Sequence, residues 1–250
     1  MKKFILALLA VVPMLALAAG PSVKLDKANN DLTDKESLKR GFESYINYCL
    51  GCHQLQYQRY NRTFQDLGIE EADGVANYMY TGEKAGDHIT NTMPAKEAAK
   101  WFGSAPPDLT LEARLRSPDW IYTYLRSFYT DPSRPFGVNN TVFKDVGMPH
   151  VLQGLQGVQT KVITQEKIEE DKENGIKGQP EISHLSKAVG GSMTAEEYDT
   201  FARDLTNFLE YTGEPSKLER EAMGYKVIGF LFVFLIFAYL LKKEYWRDVH

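Results

Sequence analysis

Hydrophobic residues gather in two long runs near the ends of this chain and in three shorter stretches of helical period between them. The first run, Phe4 to Leu17, follows Lys2 and Lys3 and closes on Ala16, Leu17 and Ala18, the small-x-small form that signal peptidase cuts. It is shorter than the roughly 20 residues of a membrane span, and Pro13 interrupts it. Residues 1–18 are therefore predicted to be a cleaved export signal rather than an anchor. The second run, residues 222–241, is apolar without a break from Val227 to Leu241, and Lys226 lies near one end where its ammonium can snorkel. Tyr225, Tyr239, Tyr245 and Trp246 supply interfacial aromatics, so this run is predicted to be a transmembrane helix.

The helical periods lie between the runs. Thr33-Asp34-Lys35-Glu36 reads as a capping box opening a helix that carries Leu38, Phe42, Tyr45 and Cys49 on one face. Ser117 as N-cap and Pro118 at the first helical position start a second helix, with Ile121, Tyr124, Leu125 and Phe128, which stops before Asp131-Pro132. Thr194-Ala195-Glu196-Glu197 is another capping box, followed by Tyr198, Phe201, Ala202, Leu205, Phe208 and Leu209 until Gly213 and Pro215. From Ser133 to Gly157 the chain is rich in Gly, Pro and Asn without a period, which predicts a long functional loop. Val158 to Ser183 predicts a short hairpin with an acidic tip, Glu166, Glu169, Glu170, Asp171 and Glu173.

Composition narrows the class. The 250 residues suit one globular domain of about 200 residues, 19–221, between the export signal and the span, with residues 242–250 as a tail. Losing Lys2 and Lys3 with the signal takes the formal charge from −4 to −6. A modestly acidic exported domain is a poor nucleic-acid binder. Three basic residues precede the span (Lys217, Arg220, Lys226) and three follow it (Lys242, Lys243, Arg247), so charge leaves orientation open. The export signal puts the large domain in the periplasm and the tail in the cytoplasm.

The two cysteines, Cys49 and Cys52, stand immediately before His53 in the pattern C-x-x-C-H, the c-type haem attachment motif. Two thiols three residues apart reach the two vinyl groups of one haem, and the adjacent imidazole supplies the proximal iron ligand. A disulfide or thioredoxin-like redox pair has no use for the His, and a zinc site needs a second ligand pair that the sequence does not offer. The second axial position separates an electron carrier from a haem enzyme or gas sensor with an open iron. Met93-Pro94 and Met148-Pro149 both have the form of a ligand loop, and the residues alone leave them level. His88, His150 and His184 read as surface or loop residues, with His150 a weak third candidate for the ligand.

Five segments together resemble the cytochrome c1 family, the haem subunits of cytochrome bc1 complexes, over roughly residues 33–245. They are RGFESYINYCLGCH (Arg40 to His53), APPDLTLEARLR (Ala105 to Arg116), the GMP segment around Met148, SMTAEEYDTFARDLTNFLEYTGEP (Ser192 to Pro215) and an anchor opening with MGYK at Met223. The resemblance implies a mainly α, class I cytochrome c-like domain with a long haem-covering loop, a small hairpin and one C-terminal transmembrane helix. It implies one covalent haem c on Cys49 and Cys52, His53 and Met148 as the iron ligands, Pro106 and Pro107 beside the haem, and Arg114 near its propionates. Met148-Pro149-His150 replaces the Met-Ala-Pro-Pro of mitochondrial members, which points to a bacterial inner-membrane protein. By the same resemblance the chain would catalyse nothing alone. As a subunit of a quinol–cytochrome c reductase, beside cytochrome b, it would take electrons from the Rieske iron-sulfur protein and pass them to a cytochrome c. A stand-alone tethered cytochrome c, or a cytochrome subunit of a terminal oxidase, would share the haem without these partners.

Overall fold

The computed structural model describes residues 23–163 and 183–247. The expected export signal, residues 1–18, and the acidic stretch from Glu166 to Glu173 lie outside them. In chain order the elements are α1 (Lys35–Tyr48), β1 (Leu55–Arg59), α2 (Tyr60–Leu67), α3 (Glu71–Tyr78), β2 (His88–Ile89), α4 (Ala95–Phe102) and α5 (Glu112–Arg116). There follow α6 (Pro118–Arg126), β3 (Phe128–Thr130), β4 (Val138–Asn140), α7 (Gln153–Gln156), β5 (Gly157–Val158) and β6 (Lys161–Ile163). β7 (Ser183–Leu185), β8 (Val189–Gly190), α8 (Ala195–Gly213) and α9 (Lys217–Tyr245) complete the chain, which is mainly helical. Two compact units share these elements: a motif unit of Asn30–Trp101, Ala105–Pro118 and Arg203 onward, and a loop unit of residues up to Asn29, Phe102–Ser104 and Asp119–Ala202.

In the motif unit, α1 begins one residue later than its capping-box reading. The Thr33 amide and hydroxyl both donate to Asp31 Oδ1, at 2.8 and 2.6 Å. Thr33 is thus committed to a turn, and the Asp34 carboxylate caps the Ser37 amide at 3.0 Å. The apolar face of α1 buries Leu38, Phe42, Tyr45 and Ile46, and the C-terminal part of α8 buries Leu205, Phe208 and Leu209. Phe208 packs its ring 5.3 Å from Phe42 and 5.8 Å from Tyr45. Gly41 lets the two backbones meet: a Cβ there would lie 2.7 Å from both the Asp204 carbonyl carbon and Phe208 Cβ. Beside this contact the buried Asp204 carboxylate accepts from Ser37 Oγ at 2.6 Å and from Arg40 Nε at 2.6 Å, so the charge is paired rather than stranded.

Helix α6 starts at Pro118, where proline's missing N–H costs nothing, and from Asp119 on it belongs to the loop unit. It ends at Arg126, before Phe128, which the helical reading included. Phe128 instead opens β3, paired antiparallel with β4 through Phe128↔Asn140 and Thr130↔Val138. Three residues, Phe128, Val138 and Val146, form a buried cluster here. Strand β6 pairs antiparallel with β7, which begins where the expected 158–183 hairpin ends, while β5 pairs with β8. The second capping box is present, with Thr194 N–H donating to Glu197 Oε2 at 2.8 Å and Glu197 N–H to Thr194 Oγ1 at 3.2 Å.

The terminal helix α9 has 29 residues, none buried. At about 1.5 Å per residue it exceeds a hydrocarbon core of about 30 Å, and it is long and apolar enough to cross a membrane. It extends beyond the apolar run 222–241 at both ends, where Lys217, Arg220, Lys242 and Lys243 suit the headgroup region.

Candidate functional site

The C-x-x-C-H motif occupies the turn that ends α1. The Cys52 and His53 amides both donate to the Cys49 carbonyl, at 3.0 and 2.8 Å, so both thiols sit within one tight turn. Asn91 Nδ2 holds the turn from outside by donating to the Leu50 carbonyl at 2.9 Å, and Tyr45 Oη donates to the His53 carbonyl at 2.6 Å. Both cysteines are free, Cys49 buried and Cys52 half-buried. Burial pushes the Cys49 thiol up to about 12. A redox-active thiol of the thioredoxin kind has a depressed pKa, so this environment argues against that use. Among the described residues no group of three or more His, Cys, Asp or Glu is placed to hold a metal.

The imidazole of His53 is oriented by a residue distant in sequence. Its Nδ1 lies 2.8 Å from the Pro107 carbonyl oxygen. A carbonyl only accepts, so Nδ1 carries the proton and Nε2 is left with its lone pair. Burial, outweighing the bond to Pro107, lowers the pKa of His53, which keeps the ring neutral and able to ligate. The segment bearing Pro107 is fixed by the chain just after the motif: Leu109 N–H donates to the Gln54 carbonyl at 3.0 Å, and Gln56 N–H to Asp108 Oδ2 at 2.8 Å. Pro106 adjoins Pro107. Arg114, on α5, has its guanidinium 3.6 Å from Glu214.

Each methionine has its own surroundings. Met93, in the motif unit, has its amide on Asn91 Oδ1 at 3.2 Å and is half-buried. Met148, in the loop unit, packs partly buried against the Phe128, Val138 and Val146 cluster, and Tyr124 Oη donates to its sulfur at 3.3 Å. Gly147 makes room for the loop, since a Cβ there would lie 2.6 Å from the Phe102 carbonyl oxygen. His150 is a half-buried residue stacked on Phe128, 4.7 Å away and 1° from parallel, rather than a surface one. Burial pushes its imidazole down to about 4, and its Nε2 is buried without a hydrogen-bond partner among the described residues. His88 and His184 are exposed.

These donors fit a haem. A neutral imidazole with a free Nε2 and two unbridged thiols, all within one turn of the motif unit, are groups such a cofactor takes. The sequence patterns missed the parts supplied by distant residues, the Tyr45 and Tyr124 hydroxyls and the Asn91 side chain. Tyr45 and Tyr124 were legible only as apolar helix positions.

Comparison with known proteins places the chain in a family. Residues 27–249 match the model of the Cytochrome C1 family. Cytochrome c1 of Allochromatium vinosum is 52% identical over 251 residues, covering 100% of both chains. A Nitrosomonas europaea protein named ammonia monooxygenase gamma subunit is 45% identical, covering 100% of this chain and 99% of its own. Cytochrome c1 of Rhodospirillum rubrum is 27% identical over 86% of this chain and 83% of its own. With the family model spanning nearly the whole sequence and a full-length relative of this kind, the chain belongs to the cytochrome c1 family, a family of haem proteins.

Proposed function

We propose that this chain is the membrane-anchored, one-electron carrier of a cytochrome bc1 complex, with one haem c attached covalently to Cys49 and Cys52. The observation that carries the reading is the hydrogen bond from His53 Nδ1 to the Pro107 carbonyl, 2.8 Å long within the C-x-x-C-H turn, which presents Nε2 as a ligand. Cys49 and Cys52 would hold the haem through thioether bonds, each thiol giving its S–H hydrogen to the vinyl group it joins. When bound, the haem supplies a centre that changes by one electron at a time.

The residues of the chain hold and tune that centre. His53 and Met148 would hold the iron, with Pro106, Pro107 and Arg114 as further haem-contacting residues. A thioether opposite an imidazole raises the potential relative to two imidazoles, which suits acceptance from a Rieske centre. No bonds of a substrate are made or broken on this chain. It accepts electrons from the Rieske iron-sulfur protein and donates them to a cytochrome c. Residues 1–18 are removed on export, residues 19–221 stand in the periplasm, α9 crosses the inner membrane, and residues 242–250 end in the cytoplasm.

Mild detergent extraction of native membranes tests the assignment. A haem-staining complex that holds this chain together with cytochrome b and a Rieske protein is expected. Recovery of the chain alone, with a terminal oxidase, or with a monooxygenase, the assembly named for the Nitrosomonas relative, would overturn it.

A further inference from the structure

The Met148 sulfur receives a hydrogen bond that its role as a ligand does not require. Tyr124 Oη lies 3.3 Å from Met148 Sδ, and sulfur is a weak acceptor, so a hydroxyl aimed at it is unusual enough to ask what holds it there. The ring of Tyr124 is fixed on two sides. Trp120 stacks on it at 5.0 Å and 10°, and Phe128 meets it edge-on at 5.1 Å and 72°. Its backbone is tied to the loop that leads to Met148. The Tyr124 carbonyl accepts from Asn140 Nδ2 at 2.8 Å, and Asn140 Oδ1 in turn accepts the Val142 and Phe143 amides at 2.9 and 3.2 Å. Helix α6 and the Met148 loop therefore keep a fixed relation, and the hydroxyl is carried to the sulfur by that framework.

We propose that Tyr124 is a positioning residue for the Met148 thioether, its hydroxyl occupying one sulfur lone pair so that the other is presented to the iron. The proposal rests on the reading of Met148 as an axial ligand. A thioether has two lone pairs, and a donor on one of them restricts rotation about the last side-chain bonds. It also withdraws electron density from the sulfur. A sulfur depleted in this way stabilises ferric iron less than ferrous, so the hydroxyl raises the midpoint potential. If Tyr124 served only to fill space, phenylalanine would replace it without electronic effect, since both ring contacts are apolar.

The test is redox titration and optical spectroscopy of the full-length, haem-loaded protein in detergent, comparing wild type with Tyr124→Phe, Tyr124→Leu and Met148→Leu. Tyr124→Phe is expected to keep the iron six-coordinate and closed to carbon monoxide. It should shift the reduced-to-oxidised ratio at fixed poise about three- to tenfold toward the oxidised form, a drop of about 30–60 mV at 59 mV per tenfold for one electron. The sulfur-to-ferric-iron charge-transfer band should move with it, and Tyr124→Leu should shift the potential the same way. An unchanged potential and band in Tyr124→Phe, or a change confined to Tyr124→Leu, would show that the ring only packs and would overturn the proposal. Met148→Leu separates the two layers: if it leaves the iron closed to carbon monoxide, Met148 is not the ligand and both readings fall.

Discussion

A short turn holds both cysteines and His53, and such local chemistry is what spacing can reveal. The three residues are placed by hydrogen bonds that span at most four positions. The groups that refine them come from far along the chain: Pro107 is 54 residues from His53 and Tyr124 is 24 from Met148. Contacts of that kind arise from tertiary packing and leave no periodic trace in the sequence. Gly41 is a similar case. Nothing in its neighbourhood marks it as more than a weak point in a helix, yet it is where α1 meets the backbone of Asp204. Gly41→Ala is predicted to destabilise the domain by about 1–3 kcal/mol, because the added methyl meets backbone atoms that cannot rotate away. Urea denaturation followed by haem absorbance measures this, and a loss below about 0.5 kcal/mol, within the range of an ordinary surface substitution, would mean the helices separate without strain.

Among the elements, helix positions were more legible than helix ends. The apolar faces of α1 and α8 follow their period, whereas α1 took Asp34 rather than Thr33 as its cap because Asp31 had already engaged Thr33. Phe128 satisfied the helical period of α6 and nevertheless entered a strand, since β4 offers Asn140 as its partner across the ladder. The capping box of α8 was read correctly because both of its bonds are local. It carries a pH-dependent prediction. The Thr194 amide and hydroxyl hold the Glu197 carboxylate below its ordinary value of 4.5. A depressed carboxylate stabilises the fold fully above the unfolded-state pKa, and that contribution disappears as pH falls through the lowered folded-state value. Glu197→Gln should therefore be less stable than wild type at pH 7, with the gap closing as pH drops well below 4.5. Denaturation midpoints of both proteins across that range report it, and a gap independent of pH would place the effect elsewhere.

For the whole molecule, the apolar run 222–241 was the plainest feature of the sequence, and the structure sets it within a helix of 29 residues. Its composition needs no tertiary information, because a bilayer selects for length and uniform hydrophobicity. Anchoring through such a helix would keep the domain at a membrane surface. The division into two compact units could not be read in this way, since each is assembled from three separated segments of chain. The proposed ligands are His53 and Met148, and an iron so held would change oxidation state and bind nothing else. The most direct measurement is the optical spectrum of the reduced, full-length protein before and after carbon monoxide, for wild type, Met148→Leu and Met93→Leu. The account predicts no change in wild type or Met93→Leu and a carbon monoxide complex in Met148→Leu. Carbon monoxide binding to the wild type, or an opened iron in Met93→Leu in place of Met148→Leu, would contradict it.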